Sequence, residues 1–334
     1  MPVRNEADFI HRSLGSVLAQ SYPDALLDVI VADGMSSDGT RETVAAMAAE
    51  SGIPVNVVDN PGLTAPCGLN AAIAKATGDV VIRVDGHCEI DRDYVKNCVR
   101  HLEGGEADGV GGPIETIGET PVAEAIAAAM SSKFGVGGSA FRCVDDRAIY
   151  VDTVAFPAYR RDIFSRIGLF NEELVRNQDD EFNFRLRKSG GRILLSPDIR
   201  SRYYSRGTLR LLWRQYLQYG FWKIRVMQLH PRQMSLRHFA PAAFVAGTLI
   251  LAIAAIFIPA FRYVGIVAAA AYLAAGLVSA VYSIRKVRLW TIPILPLCYF
   301  ILHFSYGLGF IGGLFHFRSH WRTADSGPAL NDRA

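Results

Sequence analysis

Cysteine is sparse and unpaired in this sequence. Cys67, Cys88, Cys98, Cys143 and Cys298 are scattered along 334 residues with no C-x-x-C spacing. That excludes a zinc knuckle or a disulfide framework and fits a reducing compartment. An excess of charge of one sign is missing too. The 35 Lys and Arg nearly balance 32 Asp and Glu, for a formal net charge of +3, so bulk electrostatics give no reason to expect nucleic acid as a partner. The opening residues Met1-Pro2-Val3-Arg4-Asn5-Glu6 contain no apolar run of the signal-peptide kind, and membrane insertion would depend on later segments. What the chain does have is apolar weight: 50% of its residues are hydrophobic, concentrated toward the C-terminus. One soluble domain followed by a membrane-embedded portion fits this skew.

The N-terminal part alternates between two periodicities. Residues 7 to 20 place Ile10, Leu14, Val17 and Leu18 on one helical face, and Leu26 to Ala32 is an apolar run closing on Asp33-Gly34. Gly39-Thr40 opens a helix through Met47, Val55 to Val58 reads as a strand, Leu69 to Lys75 as a helix and Val80 to Val84 as a strand. Alternation at βαβ spacing implies an α/β fold with an open, mostly parallel sheet. Such sheets bind ligands beyond the carboxyl ends of their strands, where Asp33 and Asp85 lie. Residues 94 to 102 read as an amphipathic helix. Glycine-rich Gly104 to Gly112 is expected to be a loop crossing the face, and 121 to 142, with Phe134-Gly135-Val136-Gly137-Gly138, a mobile element near a ligand.

From Thr208 to Leu229, Trp213, Tyr216, Tyr219, Phe221 and Trp222 are interleaved with Arg210, Arg214, Lys223 and Arg225. Rings at the headgroup layer and cations against anionic lipid suit an interfacial amphipathic helix; an ordinary helix packed on the soluble domain is the plainer alternative. Three apolar stretches follow, about Phe239 to Ala260, Tyr263 to Ile284 and Ile292 to Leu314. Each is near the roughly 20 residues needed to cross a hydrocarbon core. The first two form a hairpin through Pro259-Ala260-Phe261-Arg262. Lys223, Arg225, Arg232 and Arg237 precede it and Arg285, Lys286 and Arg288 follow it, which puts both flanks on the cytoplasmic side. The third stretch is interrupted by Pro293, Pro296, Gly307, Gly309, Gly312 and Gly313 and followed by Arg318 and Arg322: its length favours a full span, its charges a dip and return. Thr323 to Ala334 read as disordered. The resulting division is 1–205 soluble, 206–237 interfacial, 238–316 transmembrane and 317–334 tail.

Two acidic clusters carry chemistry. Asp85-Gly86-His87 ends the run from Val80. Residues two apart on an extended backbone point the same way, so carboxylate and imidazole offer two metal ligands on one side, the outline of a metal–diphosphate site. Gln178-Asp179-Asp180-Glu181 opens a helix far downstream and supplies the carboxylate a transfer reaction needs to deprotonate an incoming hydroxyl. Each has a bland counterpart. A strand-end histidine is often a satisfied surface residue, and Asp33 before Gly34 suits an Asx-type turn needing no ligand. Acids in a first helical turn complement the dipole, which explains Glu181 better than Asp179.

Pro2-Val3-Arg4-Asn5-Glu6, Val31-Ala32-Asp33-Gly34-Met35-Ser36-Ser37-Asp38-Gly39-Thr40, Asp85-Gly86-His87 and Gln178 to Arg187 resemble, in order, the motifs of family 2 glycosyltransferases of GT-A fold. The chain is similar in particular to the membrane-attached glucosyltransferases of succinoglycan-type exopolysaccharide assembly. The resemblance covers about residues 1 to 230, and its implications are specific. Pro2 and Glu6 would line the pocket of a UDP-sugar, and Asp33 would accept hydrogen bonds from uracil or ribose. Asp85 and His87 would stand for the D-x-D metal motif, and Asp85 would lie beside the nucleotide-sugar. Histidine in the third place shifts the expected cation toward Mn²⁺ while allowing Mg²⁺. Asp179 would be the base of an inverting transfer, with Asp180 as its competitor and Gln178 where the family has glutamate.

The Q-x-x-R-W motif of processive polymer synthesis is replaced by Gln215-Tyr216-Leu217-Gln218-Tyr219-Gly220-Phe221-Trp222-Lys223, which implies addition of one sugar. Three candidate spans are also few for a polymer pore or a transporter. The implied reaction moves a hexose, with glucose first, from the UDP-sugar to a polyprenyl-diphosphate-linked saccharide at the cytoplasmic leaflet of the cell membrane. Membrane lipids are the other expected partner. A polyprenyl-phosphate glycosyltransferase, which needs no hydroxyl-activating base, and a non-catalytic scaffold retaining the fold are the rivals. Family members have an apolar strand before P-x-x-N-E in mid-sheet, so an upstream start is the expectation here.

Overall fold

The computed structural model describes residues 1–143, 146–283 and 288–321. Arg285, Lys286, Arg322 and the segment 323–334 lie outside the described residues. The chain divides into two compact units, 1–207 and 208 onward.

In the first unit the elements follow as β1 (Pro2–Val3), α1 (Ile10–Leu18), β2 (Val29–Asp33), α2 (Thr40–Glu50), β3 (Val55–Asp59), α3 (Ala65–Lys75), β4 (Val80–Ile82), β5 (Cys88–Ile90), α4 (Tyr94–Glu103), β6 (Gly109–Gly111) and β7 (Ile114–Ile117). Then come α5 (Pro121–Met130), α6 (Lys133–Val136), α7 (Ala140–Cys143), β8 (Ile149–Tyr150), β9 (Ala158–Arg160), α8 (Asp162–Ile167), α9 (Gln178–Lys188), β10 (Ile193–Leu195) and β11 (Ser201–Tyr204). β1, β2 and β3 form a wholly parallel sheet, with Val3 opposite Asp33 and Asp33 opposite Asp59. Their carboxyl ends therefore lie side by side. A second sheet runs β4-β9-β6-β10-β8 and a third β5-β11-β7. β9 enters antiparallel between β4 and β6, while β6–β10 and β7–β11 are parallel. A cavity of about 520 Å³ opens between β2 and β4, lined by Val29, Ile30, Val80, Val81 and Tyr159 among others.

Two sequence expectations fail here, one for a steric reason and one through helix capping and propensity. Gly109 to Gly111 is a buried strand in mid-sheet instead of part of a loop. Its glycines are there because neighbours leave no room: a Cβ on Gly109 would stand 2.8 Å from the Tyr159 ring, and one on Gly111 2.9 Å from Val154. Residues 121 to 143 are largely helical. Thr120 caps α5 by accepting from Ala123 N–H, Pro121 occupies the first turn, and the alanines beyond favour helix. Ser132 caps α6, which Gly137 ends in the left-handed conformation.

The core that fixes α9 is aromatic. Phe164, Phe170 and Phe182 pack with Tyr159, Ile163 and Leu186, and the Phe170 and Phe182 rings stack with centroids 4.5 Å apart. Burying each ring stabilises the unit by about 1.5 to 3 kcal/mol. Phe182 is one turn from Asp179, so this packing sets where the helix presents its acids.

In the second unit, α10 (Leu209–Leu229) precedes α11 (Ala240–Phe257), α12 (Ala260–Ser283) and α13 (Leu295–His316). Among the described residues three segments are long and apolar enough to cross a membrane: Ala240–Phe257, Ala260–Tyr282 and Thr291–His316. α13 is one continuous helix of 22 residues, about 33 Å at 1.5 Å per residue, so nothing in it turns back. α10 does not lie by itself. Gly220 meets the Tyr306 backbone of α13, and Gly309 and Gly313 meet the Leu217 and Phe221 carbonyls of α10. Lys223, expected among headgroups, is buried at 4% exposure. This is close small-residue helix packing. A Cβ on Gly309 would stand 2.0 Å from Leu217 O, so Gly309→Val is expected to cost at least about 1 to 3 kcal/mol by overpacking, read as a lowered melting temperature in detergent. Gly312, with nothing within 4 Å of a built Cβ, should tolerate alanine in the same assay.

Candidate active site

Asp33 ends β2 with its carboxylate almost wholly buried. It accepts from Ser36 Oγ at 2.6 Å and from the Ser36 amide at 3.2 and 3.3 Å. These bonds reach three residues on, one beyond an Asx-type turn, and Arg41 stands 3.6 Å away while pairing with Asp59 at 2.6 Å. Asn5, in the left-handed region at φ 53°, is laced to the same turn. Its amide donates to Ser36 Oγ and its side-chain oxygen accepts from Ser37 N–H. Pro2 pairs with Ala32, and a Cβ on Gly68 would touch Pro2, Ala32 and Asn60 at 2.9 to 3.4 Å. The ends of β1, β2 and β3 and the first turn of α3 therefore share one floor.

Asn60, after β3, is a residue the sequence reading missed. Its Nδ2 donates to Thr64 O at 2.9 Å, while its buried Oδ1 has no hydrogen-bond donor among the described residues. An acceptor left in this way costs about 1 to 3 kcal/mol unless a ligand or water supplies a donor. Asn before Pro61 reads as a turn former, which hid it.

The strand expected through Val84 stops at Ile82, and Asp85-Gly86-His87 forms a turn in which the Cys88 amide donates to Asp85 O at 3.1 Å. Strand alternation is therefore not what aims Asp85 and His87. For Asp85 it is Arg83. Its Nε and Nη2 donate to Asp85 Oδ1 and Oδ2 at 2.7 and 3.0 Å, and its Nη1 donates to Asp179. A cation standing alone in the run Val80-Val81-Ile82-Arg83-Val84 was the available signal, because a buried guanidinium demands anionic partners. Arg83 draws the two acidic clusters, 94 residues apart in sequence, to opposite edges of one planar group.

The fork divides the electrostatics. Burial would raise Asp85, but Arg83, helped by His87, more than offsets it and holds the carboxyl below its usual value. Asp179 is pushed up to about 6, first by loss of water and then by Asp85 and Asp180, against the pull of Arg83. A carboxylate near 6 is ionised at neutral pH yet basic enough to take a proton. Asp180 is partly exposed, and the fork's bond goes to Asp179. Glu181 is buried and pairs with Arg185 at 2.7 and 3.0 Å, and Arg185 also donates to the carbonyls of Ile167 and Leu169. Glu181 thus ties α9 to the segment before it. Asn177, in the left-handed conformation at φ 63°, opens α9.

His87 Nδ1 lies 2.8 Å from Glu6 Oε1, and its ring meets the Tyr203 ring edge-on at 5.3 Å. Among the described residues no three His, Cys, Asp or Glu side chains gather into a metal cluster. Asp85, whose two oxygens are held side-on by Arg83, and His87, whose Nδ1 faces Glu6, are two candidate ligands. Such a pair fits Mg²⁺ or Mn²⁺ bound partly by phosphate oxygens and water, not a closed structural site.

A family model described as Glycosyl transferase family 2 matches residues 1–168. The succinoglycan biosynthesis protein ExoA of Rhizobium meliloti is 30% identical over 322 residues, 95% of this chain and 94% of that protein. A dolichyl N-acetyl-alpha-D-glucosaminyl phosphate 3-beta-D-2,3-diacetamido-2,3-dideoxy-beta-D-glucuronosyltransferase of Methanococcus voltae is 25% identical, over 94% of this chain and 95% of its own. Among solved structures, the mannosyltransferase PcManGT of Pyrobaculum calidifontis in complex with GDP-Man and Mn²⁺ matches with TM-score 0.61 and 21% identity, covering 94% of this chain and 86% of that one. TarS 1–349 of S. aureus in complex with UDP-GlcNAc matches with TM-score 0.51 and 15% identity, covering 94% and 90%. The fold is GT-A.

Proposed function

We propose that this chain, which belongs to glycosyl transferase family 2, is the inverting, single-addition kind of glycosyltransferase, moving a hexose, glucose first, from a UDP-sugar to a polyprenyl-diphosphate-linked saccharide. The observation that carries the reading is the Arg83 fork, which holds a candidate base and a candidate metal ligand on one guanidinium. Asp33, Asn60 and Pro2 are the groups for the uridine part, with Asn60 Oδ1 awaiting a donor such as a base N–H. Asp85 and His87 are the residues that would hold Mn²⁺ or Mg²⁺. The cation, when bound, would neutralise charge growing on the departing diphosphate. Asp179 takes the proton of the acceptor hydroxyl, and the oxygen attacks the anomeric carbon opposite the leaving group.

The catalytic region is 1–205, followed by an interfacial region over 206–237, a transmembrane region over 238–316 and a tail. With Arg225, Arg232 and Arg237 before the hairpin and Arg285, Lys286 and Arg288 after it, the positive-inside rule supports catalysis on the cytoplasmic face of the cell membrane. Likeness to an exopolysaccharide protein and to an enzyme named for a dolichyl-phosphate-linked sugar supports a lipid-linked acceptor.

The test incubates membranes containing the chain with labelled UDP-glucose, UDP-galactose and UDP-N-acetylglucosamine, then extracts lipid-linked product. One donor should label a polyprenyl saccharide, EDTA should abolish the transfer, and Mn²⁺ or Mg²⁺ should restore it. Label on polyprenyl phosphate itself would favour the lipid-phosphate rival, and nucleotide binding without turnover the scaffold.

A further inference from the structure

Glu6 has two features that a nucleotide contact does not explain. Its carboxylate reaches His87 Nδ1 at 2.8 Å with both side chains about four-fifths buried, and its own position is fixed from three sides. The Glu6 amide donates to Thr40 Oγ1 at 2.8 Å, and Thr40 Oγ1 donates on to Asp38 at 2.6 Å. The Glu6 carbonyl accepts from the amides of Phe9 and Ile10 at 2.9 and 2.8 Å, which starts α1. Gly86 lies flush on the side chain: a Cβ there would stand 2.8 Å from Glu6 Cγ. Glycine between Asp85 and His87 is thus the condition for Glu6 to pass beneath the turn and reach the imidazole. Tyr203 closes on the ring from another element.

An ionised carboxylate can only accept, so the proton of a neutral His87 sits on Nδ1 and the lone pair on Nε2. A carboxylate behind a ligating imidazole fixes the ring's tautomer and direction and raises its basicity. We infer that Glu6 is a positioning residue for His87: it holds the imidazole with Nε2 presented as a metal ligand, which lets histidine serve in the third place of the D-x-H turn. This rests on the reading of Asp85 and His87 as metal ligands.

The experiment measures Mn²⁺ affinity of the purified full chain in detergent by EPR titration with UDP present, comparing the unaltered chain with His87→Ala, Glu6→Ala and Glu6→Gln. UDP affinity in EDTA and melting temperature are measured for each. Glu6→Ala should weaken Mn²⁺ binding about 10- to 100-fold. Glu6→Gln, which can still accept from Nδ1–H, should fall between it and the unaltered chain, with UDP affinity in EDTA lowered far less than Mn²⁺ affinity in both Glu6 variants. Mn²⁺ affinity preserved in both Glu6 variants but lost in His87→Ala overturns the inference alone. So does a loss of UDP affinity in EDTA matching the loss of Mn²⁺ affinity, since Glu6 would then serve the nucleotide. An unaltered chain that binds no Mn²⁺ removes the metal reading, and the inference with it. Glu6→Gln keeps the side chain's volume and guards against a fold defect in the alanine variant.

Discussion

Asp179→Asn should lower kcat/KM about 10²- to 10⁴-fold, the usual contribution of a general base, with the Mn²⁺ affinity and melting temperature of the chain little changed. Asn keeps the shape and can still meet Arg83 through its oxygen, but it cannot accept the acceptor's proton. Asp180→Asn should cost less than about tenfold, because the carboxylate seated in the Arg83 fork is that of Asp179. The pH dependence follows from the raised pKa. Asp179 must be ionised to act, so kcat/KM should climb as pH rises through about 6 and flatten above it, falling about tenfold per unit on the acid side. An ordinary carboxylate would place that limb near 4. A limb near 4, or an Asp179→Asn variant retaining near-full rate, would remove Asp179 as the base. The second result would favour transfer to a lipid phosphate, whose oxygen is already anionic.

The parallel alternation from β2 to α3 was legible because it depends on local pattern. Apolar runs end at Asp33 and before Asp59, and Gly39 sits where α2 begins, while α3 starts at Ala65, four residues before the helix read from Leu69. β6 was not legible: its glycines signal a loop in isolation, and only the Tyr159 ring and Val154 make them necessary. α5 was obscured in the same way by an alanine-rich composition next to a glycine cluster. For the site, Asp33, Asp85, His87 and Asp179 were the candidates that residue type and order offered; the structure sets Asp85 and Asp179 on Arg83 and His87 on Glu6. What no local pattern carries is the pairing across the sheet. Arg83 to Asp179 spans 96 residues and Glu6 to His87 spans 81, so each side chain looks self-sufficient until the fold brings its partner. Asn60 is the subtler case, since its significance is an unmet bond and nothing in the sequence displays one. The buried face of α10 belongs with these: Gly220 and Lys223 read as part of a headgroup-layer mixture, and the close approach of Gly220 to the Tyr306 and Phe310 backbone of α13 is a pairing no local pattern displays.

Arg83→Met should be the most destabilising single change at the site. Methionine keeps the stem's volume and removes the fork, leaving Asp85 and Asp179 in a largely dehydrated cleft without their cation. Breaking a buried ion pair from one side costs about 3 to 5 kcal/mol, and at about 2 to 4 °C per kcal/mol for a unit of this size the melting temperature should fall by roughly 6 to 20 °C. Arg83→Lys should recover only part, because an ammonium cannot hold both Asp85 oxygens side-on and reach Asp179 as well. A purely structural guanidinium would lower stability and nothing else, so the pH profile decides its role. Arg83 pulls the Asp179 pKa down against burial and neighbouring acids; without it the carboxyl rises further, and the acid limb of kcat/KM should move above about 6 in Arg83→Lys or in whatever Arg83→Met enzyme stays folded. The double variant Arg83→Met, Asp179→Asn should lose less stability than Arg83→Met alone, since one stranded charge is gone, giving a coupling of about 0.5 to 3 kcal/mol. Additive losses with an unmoved acid limb would mean that Arg83 braces the sheet without setting the base.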